Sequence, residues 1–140
     1  MIHICEVGPR DGLQNEKKKL TTDQKVTLIQ KLIDAGIKKI EAVSFVNPKV
    51  VPQMADAEAV MDKVPKTEGV TYAGLVLSRS GLERALQTDV DAIHVVTATS
   101  DEFNLKNARR TVQQSVEELT KVIEEGVRSG KTVNGVLGTS

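Results

Sequence analysis

Short apolar runs rich in β-formers alternate along this chain with longer segments whose apolar residues recur at helical spacing. That alternation predicts βαβ units joined into a parallel sheet. The first run, Ile2 to Val7, reads as a strand, and Thr21-Thr22-Asp23 supplies cap chemistry for a helix whose buried stripe is Val26, Ile29, Leu32 and Ile33. Gly36 stands where that helix should stop, and Ile37 to Phe45 resumes as a second strand with Ile40, Ala42 and Val43 as core candidates. Pro48 and Pro52 close it. A second helix is predicted over 53–64, a third strand over 71–77, a short helix over 81–87 and a fourth strand over 92–97. The stretch 108–129 predicts one long helix with Val112, Val116, Leu119, Val122 and Ile123 on one face. Gly130 breaks it before a fifth strand over 132–137. The repeat is one of structural type, with no low-complexity segment.

An alternation of this kind fits either an open doubly wound sheet or the first part of a closed barrel, and periodicity does not choose between them. In both, βα loops converge at the carboxyl ends of the strands, so functional residues are expected there. The 140 residues suit one domain spanning 1–140. They fall short of the roughly 250 of a complete β/α barrel, and the last strand lacks a covering helix before Ser140. The 19 basic and 19 acidic residues cancel, which removes the electrostatic footprint of a nucleic-acid binder. Aromatic residues make up 2% of the chain, too few for a base-stacking platform or a membrane-interface belt. No apolar run approaches the roughly 20 residues of a membrane-crossing helix. Cys5 is the single cysteine and no secretory pattern opens the sequence, so a cytoplasmic setting is expected.

The most polar segment lies at the end of the first predicted strand: Glu6-Val7-Gly8-Pro9-Arg10-Asp11-Gly12-Leu13-Gln14-Asn15-Glu16. Gly8 and Pro9 predict a sharp turn that leaves a cation, a carboxylate and an amide close together at Arg10, Asp11 and Gln14. Adjacent Arg-Asp pairs in turns are commonly solvated surface charges, and the position at a strand end is what favours function here. Glu41 sits within an apolar strand, where an ionised carboxylate needs a partner such as Arg10 unless it opens to water. His94, in the fourth strand, reads as a core histidine with a satisfied hydrogen bond. His3 and Cys5 read as packing residues, and Lys17-Lys18-Lys19 as a solvated run or a basic rim near phosphates.

The segment EVGPRDGLQNE resembles the opening motif of the hydroxymethylglutaryl-CoA (HMG-CoA) lyases, and IEAVSFVNPKVVPQMAD resembles the segment one βα unit later in that family. Weaker likenesses follow at Thr99-Ser100-Asp101 and Lys106-Asn107, so the resemblance runs over essentially the whole chain. It implies the first part of a TIM barrel, about five strands and four helices, and a Mg²⁺- or Mn²⁺-dependent cleavage of an acyl-CoA substrate to acetyl-CoA and acetoacetate, in leucine breakdown and ketone-body metabolism. Asp11 then falls at a metal-ligand position, where a hard carboxylate donor suits such ions. Arg10 falls where a cation stabilises charge on a thioester oxygen. Its planar guanidinium offers paired donors that lysine lacks. Gln14 falls at a substrate-orienting position and Glu41 at the family's acidic site.

Complete members also use a His-x-His pair, an Asn and a late glycine-rich loop carrying a cysteine, none of which is in this sequence. Little turnover is therefore expected from the chain alone, and Gly138-Thr139-Ser140 looks like the start of a loop that continues. Exposed edges and uncovered apolar faces predict self-association, as a homo-oligomer or by aggregation. Two other readings stay open: a related Claisen-type synthase of the isopropylmalate or homocitrate kind, and a non-catalytic half-barrel. Leu13, where the synthases carry an acid, favours the lyase.

Overall fold

The computed structural model describes residues 2–138, the side chain of Asn107 excepted. Among these residues four strands, β1 (Lys39–Ser44), β2 (Thr71–Val76), β3 (Ala92–Ala98) and β4 (Thr132–Gly138), form one parallel sheet in the order β1-β2-β3-β4. Each strand lies beside its predecessor. A doubly wound sheet reverses its order at a switch point, so this unbroken succession is the barrel-type alternative.

Five α-helices accompany the strands among the described residues: α1 (Thr22–Asp34), α2 (Ala57–Lys63), α3 (Arg79–Leu86), α4 (Asp101–Ala108) and α5 (Val112–Arg128). A capping box between Thr21 and Gln24 starts α1. Gly36, at φ 92°, ends it in a conformation that a Cβ would strain. Ile29 and Ile33 of α1, Val60 and Met61 of α2, Leu82 and Ala85 of α3, and Leu119 and Val122 of α5 pack with Ile40, Val76 and Ile93 into one core. That core lies between the helical layer and one face of the sheet.

β1 reaches this core through an irregularity. Glu41 pairs with Ala73 and Val43 with Gly74, so Ala42 is an extra residue on β1. Strict alternation would place Val43 and Phe45 on the Glu41 face. The bulge reverses the parity, so that Val43 and Phe45 join Ile40 in the core while Glu41 points the other way.

Three predicted elements differ. Residues 2–7 make only a single parallel bridge, Glu6 to Ile40, instead of a strand. They have no neighbour on their other side among the described residues, and Ile2 and Ile4 are exposed. The predicted helix 53–64 is a 3₁₀ turn at Pro52–Met54 followed by α2. The buried ammonium of Lys25 takes the Gln53 carbonyl and the Asp56 carboxylate, drawing off a carbonyl that a continuous helix would give to residue 57. The predicted helix 108–129 is α5 alone, begun at Val112 by a capping box at Thr111 and Gln114, and Ala108 instead closes α4, an unpredicted helix that ends at Arg109 with φ 54°. Val116 and Ile123 of the predicted apolar face of α5 are exposed, lining a shallow apolar cleft with Gly135, Val136 and Leu137 of β4, the sheet edge. Thr139 and Ser140 lie outside the described residues.

Gly74 shows how tightly β1 and β2 are packed. A Cβ there would fall 2.5 Å from Cε2 of the buried Phe45. Gly74→Ala is expected to cost about 1–3 kcal/mol through overpacking, read as a lower urea midpoint with unchanged slope.

Candidate active site

The segment after residue 7 coils into one tight π-turn, Gly8–Gly12. The Val7 carbonyl accepts from the amides of Arg10 at 3.1 Å and Asp11 at 2.7 Å, and the Gly8 amide donates to Glu6 Oε1 at 2.7 Å. Pro9 is buried, and its missing N–H costs nothing in the first turn of a helical segment, where no intrahelical acceptor is available. The turn thus fixes the backbone of Arg10 and Asp11 beside the carboxyl end of β1.

The Arg10 guanidinium donates from Nε to Glu41 Oε1 and from Nη1 to Asp11 Oδ1, the latter at 2.9 Å. The second Glu41 oxygen meets Nδ1 of His94. An ionised carboxylate only accepts, so Nδ1 carries the hydrogen. Glu41 is therefore a buried bridge between two donors on different elements, with its side chain 4% exposed, whereas that of Asp11 is 55% exposed. Burial opposes ionisation of Glu41, but the hydrogen bond from His94 and the charge and hydrogen bond of Arg10 outweigh it and hold the carboxyl below its ordinary value.

Arg10, Asp11 and Gln14 line one wall of an open cleft of about 440 Å³, with Leu75, Val96 and Asn104 among the facing residues. Glu41 is not part of that lining. Of the four residues singled out in the sequence, three meet at the cleft and Glu41 acts behind them. Asn104 was not singled out. Its buried amide donates to Arg110 O at 2.9 Å, Thr111 O at 3.0 Å and Ser115 Oγ at 2.7 Å, pinning the α4–α5 joint to the cleft wall. His94 was read as a core residue with a satisfied hydrogen bond; the structure gives it that bond, to Glu41, on the face opposite the core. Its parity was the available signal, since Ile93 and Val95 belong to the core and His94 to the opposite face. Burial pushes the Cys5 thiol up, away from nucleophile behaviour. Ser100 and Asp101 serve as supports: Ser100 Oγ accepts from Phe103 N at 3.4 Å, and Asp101 Oδ1 accepts from Val112 N at 2.7 Å.

As a metal site the cleft offers little. No three His, Cys, Asp or Glu side chains converge among the described residues, and Asp11 stands as a single carboxylate with one oxygen on Arg10. A hard divalent cation takes about six oxygen donors, so the residues present do not fit one by themselves.

A β/α unit array of unbroken strand order, with an Arg-Asp turn packed against β1, is of the barrel type, and the comparisons agree. The HMGL-like family model matches residues 1–137, and the chain belongs to that family. A hydroxymethylglutaryl-CoA lyase of Pseudomonas mevalonii is 38% identical over 141 residues, covering 98% of this chain and 47% of the lyase. A mitochondrial lyase of Mus musculus is 40% identical, covering 97% of this chain and 42% of its own length. The crystal structure of the Bacillus subtilis HMG-CoA lyase superposes with a TM-score of 0.94 at 38% identity, over 97% of this chain and 46% of that one. A lyase of A. baumannii, solved with coenzyme A and 3-methylmalate, gives a TM-score of 0.92 at 34% identity, over 98% and 45% of the two chains. The chain thus spans about half the length of the relatives it matches, and its sheet is part of their TIM barrel. The family is generally dependent on a divalent metal. No helix among the described residues is long and apolar enough to cross a membrane.

Because the folded-state pKa of Glu41 lies below its ordinary 4.5, its ionised form stabilises the fold above that value. The contribution fades as pH falls through the folded pKa. Asp56 and Glu58 are lowered too and add a loss of the same sign as pH falls. Glu41→Gln should therefore flatten, without abolishing, the loss of urea midpoint between about pH 5 and pH 3. Equal pH slopes for the two proteins would contradict the buried ion pair.

Proposed function

We propose that this chain carries half of the active site of an HMG-CoA lyase, cleaving an acyl-CoA to acetyl-CoA and acetoacetate. The observation that carries the reading is Arg10, held by Glu41 and Asp11 at the cleft. In the reaction the tertiary alcohol loses its proton as the C2–C3 bond breaks. The former carbinol carbon becomes the acetoacetate ketone, and the electron pair passes to the acetyl-CoA fragment as an enolate that a proton then quenches. Negative charge thus collects on the thioester oxygen. Arg10 still has Nη donors beyond those committed to Glu41 and Asp11, and a fixed cation there stabilises that charge without reorganising. Gln14, on the same wall, suits orientation of the substrate. Glu41 has both oxygens occupied and acts by holding Arg10.

Asp11 is the proposed contribution of this chain to the Mg²⁺ or Mn²⁺ that the family employs, and further donors must come from outside the described residues. When bound, such a cation would acidify the alcohol. This reading extends to leucine breakdown and ketone-body metabolism, and the single Cys5 suits a reducing compartment such as the cytoplasm. Residues 1–140 are read as one partial-barrel domain. Copies of the chain are expected to associate through β4, where Leu137 is 71% exposed, and through the opposite edge, where Ile2 is 92% exposed.

The test is a chimera in which residues 1–138 replace the matching segment of the B. subtilis lyase. With Mn²⁺ and HMG-CoA it should release acetoacetate, and Arg10→Lys should lower kcat about 100-fold, the scale of losing one well-placed oxyanion donor. A folded chimera that releases none, or one indifferent to Arg10, would overturn the assignment. The unmodified chain should release little, since one carboxylate holds the cation weakly.

A further inference from the structure

Glu41 and His94 sit on strands that are not neighbours, for β2 runs between β1 and β3. Two inter-strand spacings come to roughly 9–10 Å, and Glu41 is registered with Ala73 while His94 is registered with Leu75, so their direct hydrogen bond crosses β2 diagonally, over Ala73 and beside Leu75 on the same face. Ala73 stands at the Glu41 end of that path. It pairs with Glu41 on one side and Ala92 on the other, and Ala92 is two residues from His94. Paired residues, and residues two apart on a strand, share a face. A methyl group leaves the span open, and a longer side chain at 73 would fill it. The carboxylate is then gripped at both oxygens, by Arg10 from the π-turn and by His94 from β3. Without His94 the second oxygen would be a buried acceptor with no donor. The group would then gain by turning that oxygen toward the guanidinium and drawing Arg10 off its line into the cleft.

We propose that His94 is a positioning residue of the candidate active site: by donating from Nδ1 to Glu41 Oε2 across Ala73, it locks the carboxylate that aims Arg10 at the cleft. Its meaning for catalysis rests on the lyase reading above, but the chain of hydrogen bonds His94–Glu41–Arg10 does not.

The experiment is NMR on the isotopically labelled chain at neutral pH. The wild-type His94 imidazole should show the Nδ1–H form, and the Arg10 Nε–H should be resolved and slow to exchange. His94→Leu should speed that exchange about tenfold or more, the factor carried by a hydrogen bond to a charged group. His94→Asn, whose amide N–H₂ overlays Nδ1, should keep it within about twofold of wild type. Ala73→Leu should reproduce the His94→Leu result with His94 intact. Amide spectra of each variant report whether the sheet persists. An Arg10 Nε–H unchanged in folded His94→Leu overturns the proposal, as does a wild-type His94 lacking the Nδ1 hydrogen. Equal losses in the Asn and Leu variants also overturn it, since packing alone would then be at stake. If these signatures hold while the chimera is inert, the lyase reading fails and the positioning role stands. If the chimera is active and Arg10 ignores His94, the reverse is true.

Discussion

A carboxylate buried in a sheet must be paired, and much of the candidate site can be understood as the consequence of satisfying Glu41. Removing an ion from water costs more than any single neutral hydrogen bond returns. Glu41 therefore draws a guanidinium from the π-turn and an imidazole from β3. Those two partners come from opposite sides of the sheet segment that contains it. The pairing ties residues 8–12, which follow a segment held by a single β-bridge at Glu6, to the buried strand β1. An arginine placed on a loop is normally as mobile as the loop. Here Arg10 is anchored to the core strand through Glu41.

The bulge at Ala42 is the backbone device that makes this possible. It separates the two demands on β1, which must present Ile40, Val43 and Phe45 to the helices and Glu41 to the cleft side. Alternation without the bulge would set Val43 and Phe45 beside Glu41 and leave the helical layer short of apolar partners. Gly74 completes the arrangement, because the Phe45 ring occupies the space its Cβ would need. Fold stability and site geometry thus meet within a few residues, and substitutions there are expected to affect both.

Much of the fold was legible because its elements rest on local signals. The alternation of periods located β1 to β4 to within about two residues, and Thr21 and Gly36 bracketed α1 by cap chemistry. What escaped was decided by tertiary partners. The break before α2 follows from a lysine in another helix, and residues 2–7 fall short of a strand because pairing, which no local pattern contains, is present on one side only. The start of α5 was readable, and α4 before it was not. Thr111 and Gln114 form a capping-box pattern, but the polar sequence of α4 has no apolar stripe to announce a separate helix.

The site divides in the same way. Arg10, Asp11 and Gln14 were legible because they crowd a turn at a strand end, where a polar cluster has few structural reasons to exist. Glu41 was legible from the cost of a charge in an apolar run. His94 was not, because a histidine among valines has a satisfactory explanation in the core, and only the register of three strands shows that it shares a face with Glu41. The same register assigns Ala73 a role that no composition or motif could suggest, since its function is to be small. A residue that acts by leaving space carries no chemistry to recognise, and it becomes visible only when the two groups it allows to meet are both known.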